Sequence, residues 1–353
     1  MSNHNVSDIK NTINTINNNS SEAKNQSMVY KSCDLIEHGF VVDNQNCIRV
    51  CSIINNEYLG QPLLFSNYTG EILDKETFFT AKRKYREMTR NGSYPYECTN
   101  CPRLLEKAWD NDDYIDNILL SHWIDCNSRC IYCSAPTDET LKKINKYYNF
   151  TPAIKEMIDN GSIIRSAKID FAGGEPTVYP EFESLLSLFL KEGFHNIFIN
   201  TSGIKYSKSI RTALRNNQIN TLTISLDAGS KEMHKKVKQV NSYDKVWENI
   251  YRYSEAQQEA KTKEKICLKY ILLPNINTKK EEIDLFLEKV ANAKIDYVAL
   301  SLDMFWWTKH KDDDNKSLIN ISNYFIEETQ KYKFKKYIYP WARWLLGIKE
   351  IVV

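Results

Sequence analysis

The 353-residue chain has almost no charge imbalance, with Lys+Arg 47 against Asp+Glu 45 and a net charge of +2. Without a chain-wide basic field, composition excludes a histone-like or polybasic role, and no nucleic-acid partner is expected. No apolar run approaches the roughly 18 to 20 residues a spanning helix needs, so the chain reads as soluble with no membrane partner. The start, MSNHNVSDIK, lacks the charged n-region and apolar h-region of a secretory signal, and the expected compartment is a reducing cytoplasm. Size does not force disulfides either, because a chain of this length can bury a sizeable core unaided. Against these absences stands one excess: nine cysteines, eight of them in the first 133 residues. In a reducing compartment, thiols clustered at short spacing more often hold a metal or an iron-sulfur cluster than form disulfides.

Composition divides the chain. Residues 1–28 carry eight Asn with scattered Ser, Thr and Lys, and too little apolar surface to offset ordering entropy, which predicts a disordered tail. Over 29–112, short apolar pieces broken by Asn, Asp and Gly and punctuated by five cysteines read as a small module that needs a metal or cluster for stability. From 113 to 310 strand-like and helix-like segments alternate. Candidate strands are 121–125, 167–172, 195–200, 220–227, 267–274 and 295–303, with helical patterns between them. The remainder, 311–353, reads as a C-terminal helical extension.

Six strand-helix repeats predict an α/β fold with a mostly parallel sheet. On NTLTISLD, Leu222, Ile224 and Leu226 share one face, while Thr221, Thr223, Ser225 and Asp227 share the other. The last strand repeats the pattern with Val298, Leu300 and Leu302 against Tyr297, Ala299, Ser301 and Asp303. A sheet covered by helices on both faces shows near-continuous apolar runs instead. One apolar and one polar face favour a partial (β/α)6 TIM-like barrel with a wet interior over a doubly wound sheet.

Directly after the first candidate strand comes Cys126-Asn-Ser-Arg-Cys130-Ile-Tyr-Cys133, a C-x3-C-x2-C spacing. Three thiolates on one tight loop can hold three irons of a cubane and leave the fourth open. Tetrahedral zinc takes paired C-x2-C units more often, and no fourth ligand lies nearby. The second barrel strand ends in Phe-Ala-Gly173-Gly174-Glu175-Pro176, and NTSG and ISLD close later ones. In these motifs, over roughly residues 117 to 305, the sequence resembles the radical S-adenosylmethionine (radical SAM) superfamily. The resemblance implies that Cys126, Cys130 and Cys133 hold a [4Fe-4S] cluster whose open iron binds S-adenosylmethionine. One electron into the sulfonium then gives a 5′-deoxyadenosyl radical able to abstract hydrogen from an unactivated C–H bond, oxygen-sensitive chemistry that needs a reductant such as flavodoxin or ferredoxin. By the same resemblance Tyr132 lines the adenine pocket, Gly173 and Gly174 permit close approach of the methionyl part, and Glu175 orients that region. Asn200, Thr201 and Ser225 match positions near the cofactor.

Upstream, Cys33, Cys51, Cys98 and Cys101 resemble the ligands of the auxiliary-cluster modules called SPASM or twitch, here placed before the barrel. The resemblance implies a second [4Fe-4S] cluster; a structural zinc site with four thiolates is the alternative. Cys47 is left over, and Cys267 reads as a small buried hydrophobe. Lys269 and Asp303, on polar strand faces, are candidate catalytic groups. The auxiliary-module resemblance favours a peptide or protein substrate. A small molecule such as a sugar or nucleotide intermediate is the alternative, and a non-catalytic Cys-rich zinc-binding protein is the reading from another class.

Overall fold

The computed structural model describes residues 28–51, 62–68, 70–99, 101, 103–133 and 148–348. The tail expected over 1–28 lies outside the described residues except for Met28, which opens strand β1 (Met28–Ser32). Six strands form the parallel centre: β6 (Ile115–Leu120), β7 (Ile163–Phe171), β8 (Ile197–Thr201), β9 (Thr221–Ser225), β10 (Ile266–Leu272) and β11 (Tyr297–Leu302). They lie side by side in chain order, the α/β arrangement expected of a partial (β/α)6 barrel. Helices α3 (Thr151–Asp159), α4 (Phe182–Lys191), α5 (Lys208–Arg215), α6 (Lys231–Lys238), α7 (Tyr243–Glu259) and α8 (Lys280–Asn292) join them. Gly193 follows α4 at φ +83°, a left-handed conformation that suits glycine just past a helix end.

The alternation read from the sequence sorts the two faces. Ile169, Ile199, Leu222, Ile224, Leu268 and Leu300 are buried in the main core. Asp170, Asn200, Thr223, Ser225, Lys269 and Ala299 line a cavity of about 540 Å³ inside the barrel.

Three expectations are corrected. The first barrel strand is 115–120, not 121–125. Segment 121–125 runs on as a loop whose Trp123 and Asp125 carbonyls accept hydrogen bonds from Gly174 and Glu175, so its polar groups pair with a turn rather than a ladder. The segment after 310 is not purely helical. Helices α9 (Met304–His310) and α10 (Lys316–Lys331) lead to strand β12 (Lys335–Ile338), which pairs in parallel with β11, and α11 (Pro340–Leu345) follows. Pairing there satisfies an edge that β11 would otherwise expose. Finally, strand β2 (Gly39–Val42) of the N-terminal module pairs in parallel with β6, and β3 (Ile48–Arg49) and β4 (Leu63–Phe65) extend the same ten-stranded sheet. The sheet therefore crosses the expected boundary at 112/113. Strand β1 pairs separately with β5 (Leu105–Trp109).

Helix α2 (Lys75–Arg90) carries a run of basic residues, side chains that usually face solvent on a surface helix. Lys82 and Arg86 are instead fully buried. Lys82 Nζ donates to the Gly39 carbonyl at 2.7 Å. Burial, with the Arg86 charge adding to it, pushes the Lys82 ammonium down to about 7. Arg86 bonds the Glu37 carbonyl (2.7 Å) and Asp113 (2.8 Å) and lies 3.3 Å from the Glu37 carboxylate, which Tyr30 and Ser32 also serve. Glu37 belongs to α1 (Asp34–His38), so these bonds clamp α2 onto the segment that begins with Cys33. Breaking one partner of a buried pair costs about 3–5 kcal/mol. Arg86→Met is accordingly expected to lower the urea unfolding midpoint by an amount corresponding to about 3 kcal/mol. The double variant Arg86→Met/Glu37→Gln should recover part of that loss, and equal losses in the two would refute the pairing.

Candidate active site

The three thiols Cys126, Cys130 and Cys133 stand on one loop after β6, two half-buried and Cys133 exposed. What holds this loop is a set of bonds to α6 and to the segment that follows β9. The Arg129 and Ile131 amides donate to the Lys238 and Val237 carbonyls at 2.9 and 3.0 Å, using acceptors that a helix C-terminus leaves free. Beside them lies a buried triad. Asp227 Oδ2 accepts from Lys238 Nζ at 2.5 Å and from the Tyr132 hydroxyl at 2.7 Å, and Oδ1 accepts from the Ile271 amide of β10. Lys238 Nζ also reaches the Tyr132 hydroxyl at 3.1 Å. Burial opposes the Lys238 charge, but the Asp227 carboxylate outweighs it and holds the ammonium above its ordinary value. Asp227 is completely buried at φ +58°, a conformation uncommon for a residue with a side chain.

The glycine turn meets the same loop from the other side. Gly173 has φ +93°, and a Cβ on Gly174 would stand 2.5 Å from the Asp125 carbonyl oxygen. The close approach these glycines permit is thus to the chain's own 121–125 segment. Glu175, also buried, accepts through Oε1 from the Thr177 amide and the Thr177 and Thr201 hydroxyls, and through Oε2 from the Ser202 amide. Thr201 is therefore engaged with Glu175, while the Ser202 hydroxyl donates to Asn127 inside the cysteine loop at 2.9 Å. Asn200 donates to Asp170 at 2.9 Å on the cavity wall. Lys238, Ser202 and Asn127 escaped the sequence reading. Only the polar-face position of Asp227 signalled the triad; the bonds of Lys238 to Tyr132 and of Ser202 to Asn127 span 106 and 75 positions and leave no local pattern.

The two candidate catalytic groups lie in different cavities. Lys269 lines the barrel interior with Ser225, and Cys267 lies on the same wall, where burial pushes its thiol up to about 12. Asp303 caps α9, its Oδ1 accepting from the Phe305 and Trp306 amides. It lines a second cavity of about 590 Å³ together with Tyr132, Cys133, Phe305, Trp306 and His310.

In the N-terminal module, Cys33 and Cys98 are buried in one small apolar cluster with Leu35 and Ile36, and Cys51 packs against it. Burial pushes the Cys33 thiol up, and Cys101 is close enough to add to that shift. The four residues singled out by sequence thus lie together. Cys47 sits elsewhere, its thiol directed at the Gln45 carbonyl in the turn between β2 and β3. Among the described residues, no three His, Cys, Asp or Glu side chains already stand in ligating geometry, so what the fold supplies at both cysteine sets is proximity.

The triad makes a testable statement about loop anchoring. Lys238→Met leaves the Asp227 carboxylate buried without its cation and is expected to cost about 3 kcal/mol. Tryptic cleavage after Arg129 should also become faster than in the wild type. Lys238→Met/Asp227→Asn should slow that cleavage again, and an unchanged rate in the single variant would show that the triad does not anchor the loop.

Residues 120–287 match the family model of the Radical SAM superfamily. Among curated proteins, the chain is 28% identical over 217 residues to a protein named GTPase Obg from Brachyspira hyodysenteriae, covering 59% of this chain and 30% of that one. It is 26% identical over 155 residues to the GTP 3',8-cyclase of Lactiplantibacillus plantarum, covering 41% and 44%. The chain thus spans less than half the length of either relative. The solved structure of Streptococcus suis SuiB bound to S-adenosylmethionine aligns at a TM-score of 0.49 and 15% identity, over 76% of this chain and 57% of that one. No helix among the described residues is long and apolar enough to cross a membrane. The stretch that matches the Radical SAM family model begins at the end of β6 and takes in the cysteine loop, the GGEP turn and the strands through β10.

Proposed function

We propose that Cys126, Cys130 and Cys133 hold a [4Fe-4S] cluster and that the barrel cavity receives a substrate for radical modification, a peptide or protein. The observation that carries this is the anchored three-thiol loop standing over a polar barrel interior. The donor set fits: three thiols on one loop leave one iron of a cubane for a non-protein ligand. Bound there, cluster and S-adenosylmethionine supply one-electron reductive cleavage and a hydrogen-abstracting radical, with flavodoxin or ferredoxin as reductant in the cytoplasm.

The chain's own residues do the holding. Tyr132 fixes one end of the loop, and Glu175 ties the GGEP turn to the NTSG turn that carries Asn200 and Thr201. Gly173 and Gly174 let that turn pack close beneath the loop. Ser225 presents its hydroxyl to the cavity two residues before Asp227, and the ring faces of Phe305 and Trp306 in the second cavity suit an adenine. Asp303, on the wall of that cavity with Cys133, is the proposed polar partner there. Cys33, Cys51, Cys98 and Cys101 are proposed to hold a second [4Fe-4S] cluster, with four-thiolate zinc as the competing occupant. The proximity of these cysteines is also what supports a peptide substrate, through their likeness to auxiliary modules. A small-molecule substrate is favoured by a different observation, the cavity volume of about 540 Å³.

Anaerobic reconstitution tests the reading. About eight iron and eight sulfide per chain, as two cubanes require, should accompany formation of 5′-deoxyadenosine under reductant. Alanine at Cys126, Cys130 or Cys133 should abolish that product, whereas Cys98→Ala/Cys101→Ala should remove about half of the iron and Cys47→Ala none. Stoichiometric zinc without cleavage of S-adenosylmethionine would sink the proposal.

A further inference from the structure

The barrel cavity contains a cation without a counter-charge. Lys269 projects from the middle of β10, in register with Ser225 on one side and Ala299 on the other, and Ala299 is in register with Tyr337 of β12. All four line the cavity. The only partner its ammonium has among the described residues is the Tyr339 ring, whose centroid lies 4.4 Å away; no carboxylate lies within ion-pair distance and no acceptor within hydrogen-bond distance. The other charges on this wall are already matched. Lys168 lies 3.6 Å from Asp170, and Asp170 also accepts from Asn200. Asp227, which contributes to the field at Lys269, has its oxygens filled by Lys238, Tyr132 and Ile271. Lys168, Lys269 and Asp170 therefore leave the cavity wall with one positive charge in excess. Around it stand hydroxyls of Thr223, Ser225 and Tyr297, which can donate to an anion.

Lys269 is half-buried on the cavity wall, and an ammonium without a counter-charge there gains from a ligand that supplies one. We propose that Lys269 is an oxyanion-binding residue, and that the substrate carries a carboxylate or phosphate group which pairs with it in the barrel interior. Burial pushes the free Lys269 ammonium below its ordinary value, and a bound anion restores it. The position orients the ligand as well. The Lys269–Ser225 level is two residues below Asp227, about 7 Å at the rise of a strand, so the anionic end sits deep and the rest of the molecule extends toward the cysteine loop. Ala299 opposite Lys269 leaves the space for it. This inference rests on the reading of the cavity as the substrate chamber.

Calorimetric titration of the anaerobically reconstituted enzyme with pyrophosphate, and separately with succinate, tests it. One of the two is expected to bind at millimolar concentration, and which one binds distinguishes a phosphate from a carboxylate substrate. Lys269→Met should weaken that binding by about tenfold or more, the loss of a charge-assisted contact, and Lys269→Arg should retain it. Should Lys269→Met fail to fold, acetylation of Lys269 in the wild type, read by mass spectrometry, should be slowed by the same anion. The proposal is overturned if neither anion binds, if Lys269→Met binds as the wild type does, if the binding anion leaves acetylation unslowed, or if S-adenosylmethionine alone protects Lys269 fully. Anion binding without 5′-deoxyadenosine formation would refute the functional reading alone, and product formation without anion binding would refute this inference alone.

Discussion

The buried carboxylate of Asp227 is the point through which the rest of the site is held. It receives a strand amide, a lysine ammonium and a tyrosine hydroxyl at once, and each comes from a different part of the chain: β10, the end of α6 and the cysteine loop. A single ionised group with its acceptor positions filled is stable in the interior, where a half-filled one is not. The loop that must present three thiols is consequently fixed by a charge network rather than by its own short sequence. Glu175 plays the matching part from the opposite side, binding two turns that end successive strands. The two carboxylates make the rim of the barrel rigid before any ligand arrives, which is the kind of pre-organisation a reactive centre needs.

Much of this was legible in the sequence, and the reason is periodicity. Strands β7 to β11 fall where the apolar alternation puts them, and the polar residues of NTLTISLD line the cavity as parity requires. The cysteine loop and the GGEP turn were readable because their spacings are local. What could not be read was long-range. The 121–125 segment alternates like a strand, but its carbonyls answer to Gly174 and Glu175, some 50 residues on. Lys82 and Arg86 look like surface charge on a basic helix, and only the fold reveals that Gly39, Glu37 and Asp113 are there to receive them. Strand β12 was hidden in a segment that reads as helical because its reason for being a strand is the open edge of β11.

The N-terminal module shows the same logic at a second scale. Three of its strands, β2, β3 and β4, add to the barrel sheet while β1 and β5 pair with each other, and the clamp of α2 on α1 fixes the backbone beside Cys33. A thin, loop-rich segment gains a rigid floor by borrowing hydrogen bonds from β6, which itself leads into the cysteine loop. The two cysteine sets are thereby mechanically connected through neighbouring strands, β2 and β6.

The placement of β12 has a consequence for the order in which the protein takes shape. Tyr337 and Tyr339 are wall residues of the cavity, yet they lie some 200 residues after the cysteine loop in the chain. Synthesis delivers the loop, the turns and Lys269 long before the segment that closes their chamber. A nascent chain therefore carries its cysteine loop with the interior still open to the surrounding solution, and acquires a sheltered chamber only when the strand beyond α10 has docked.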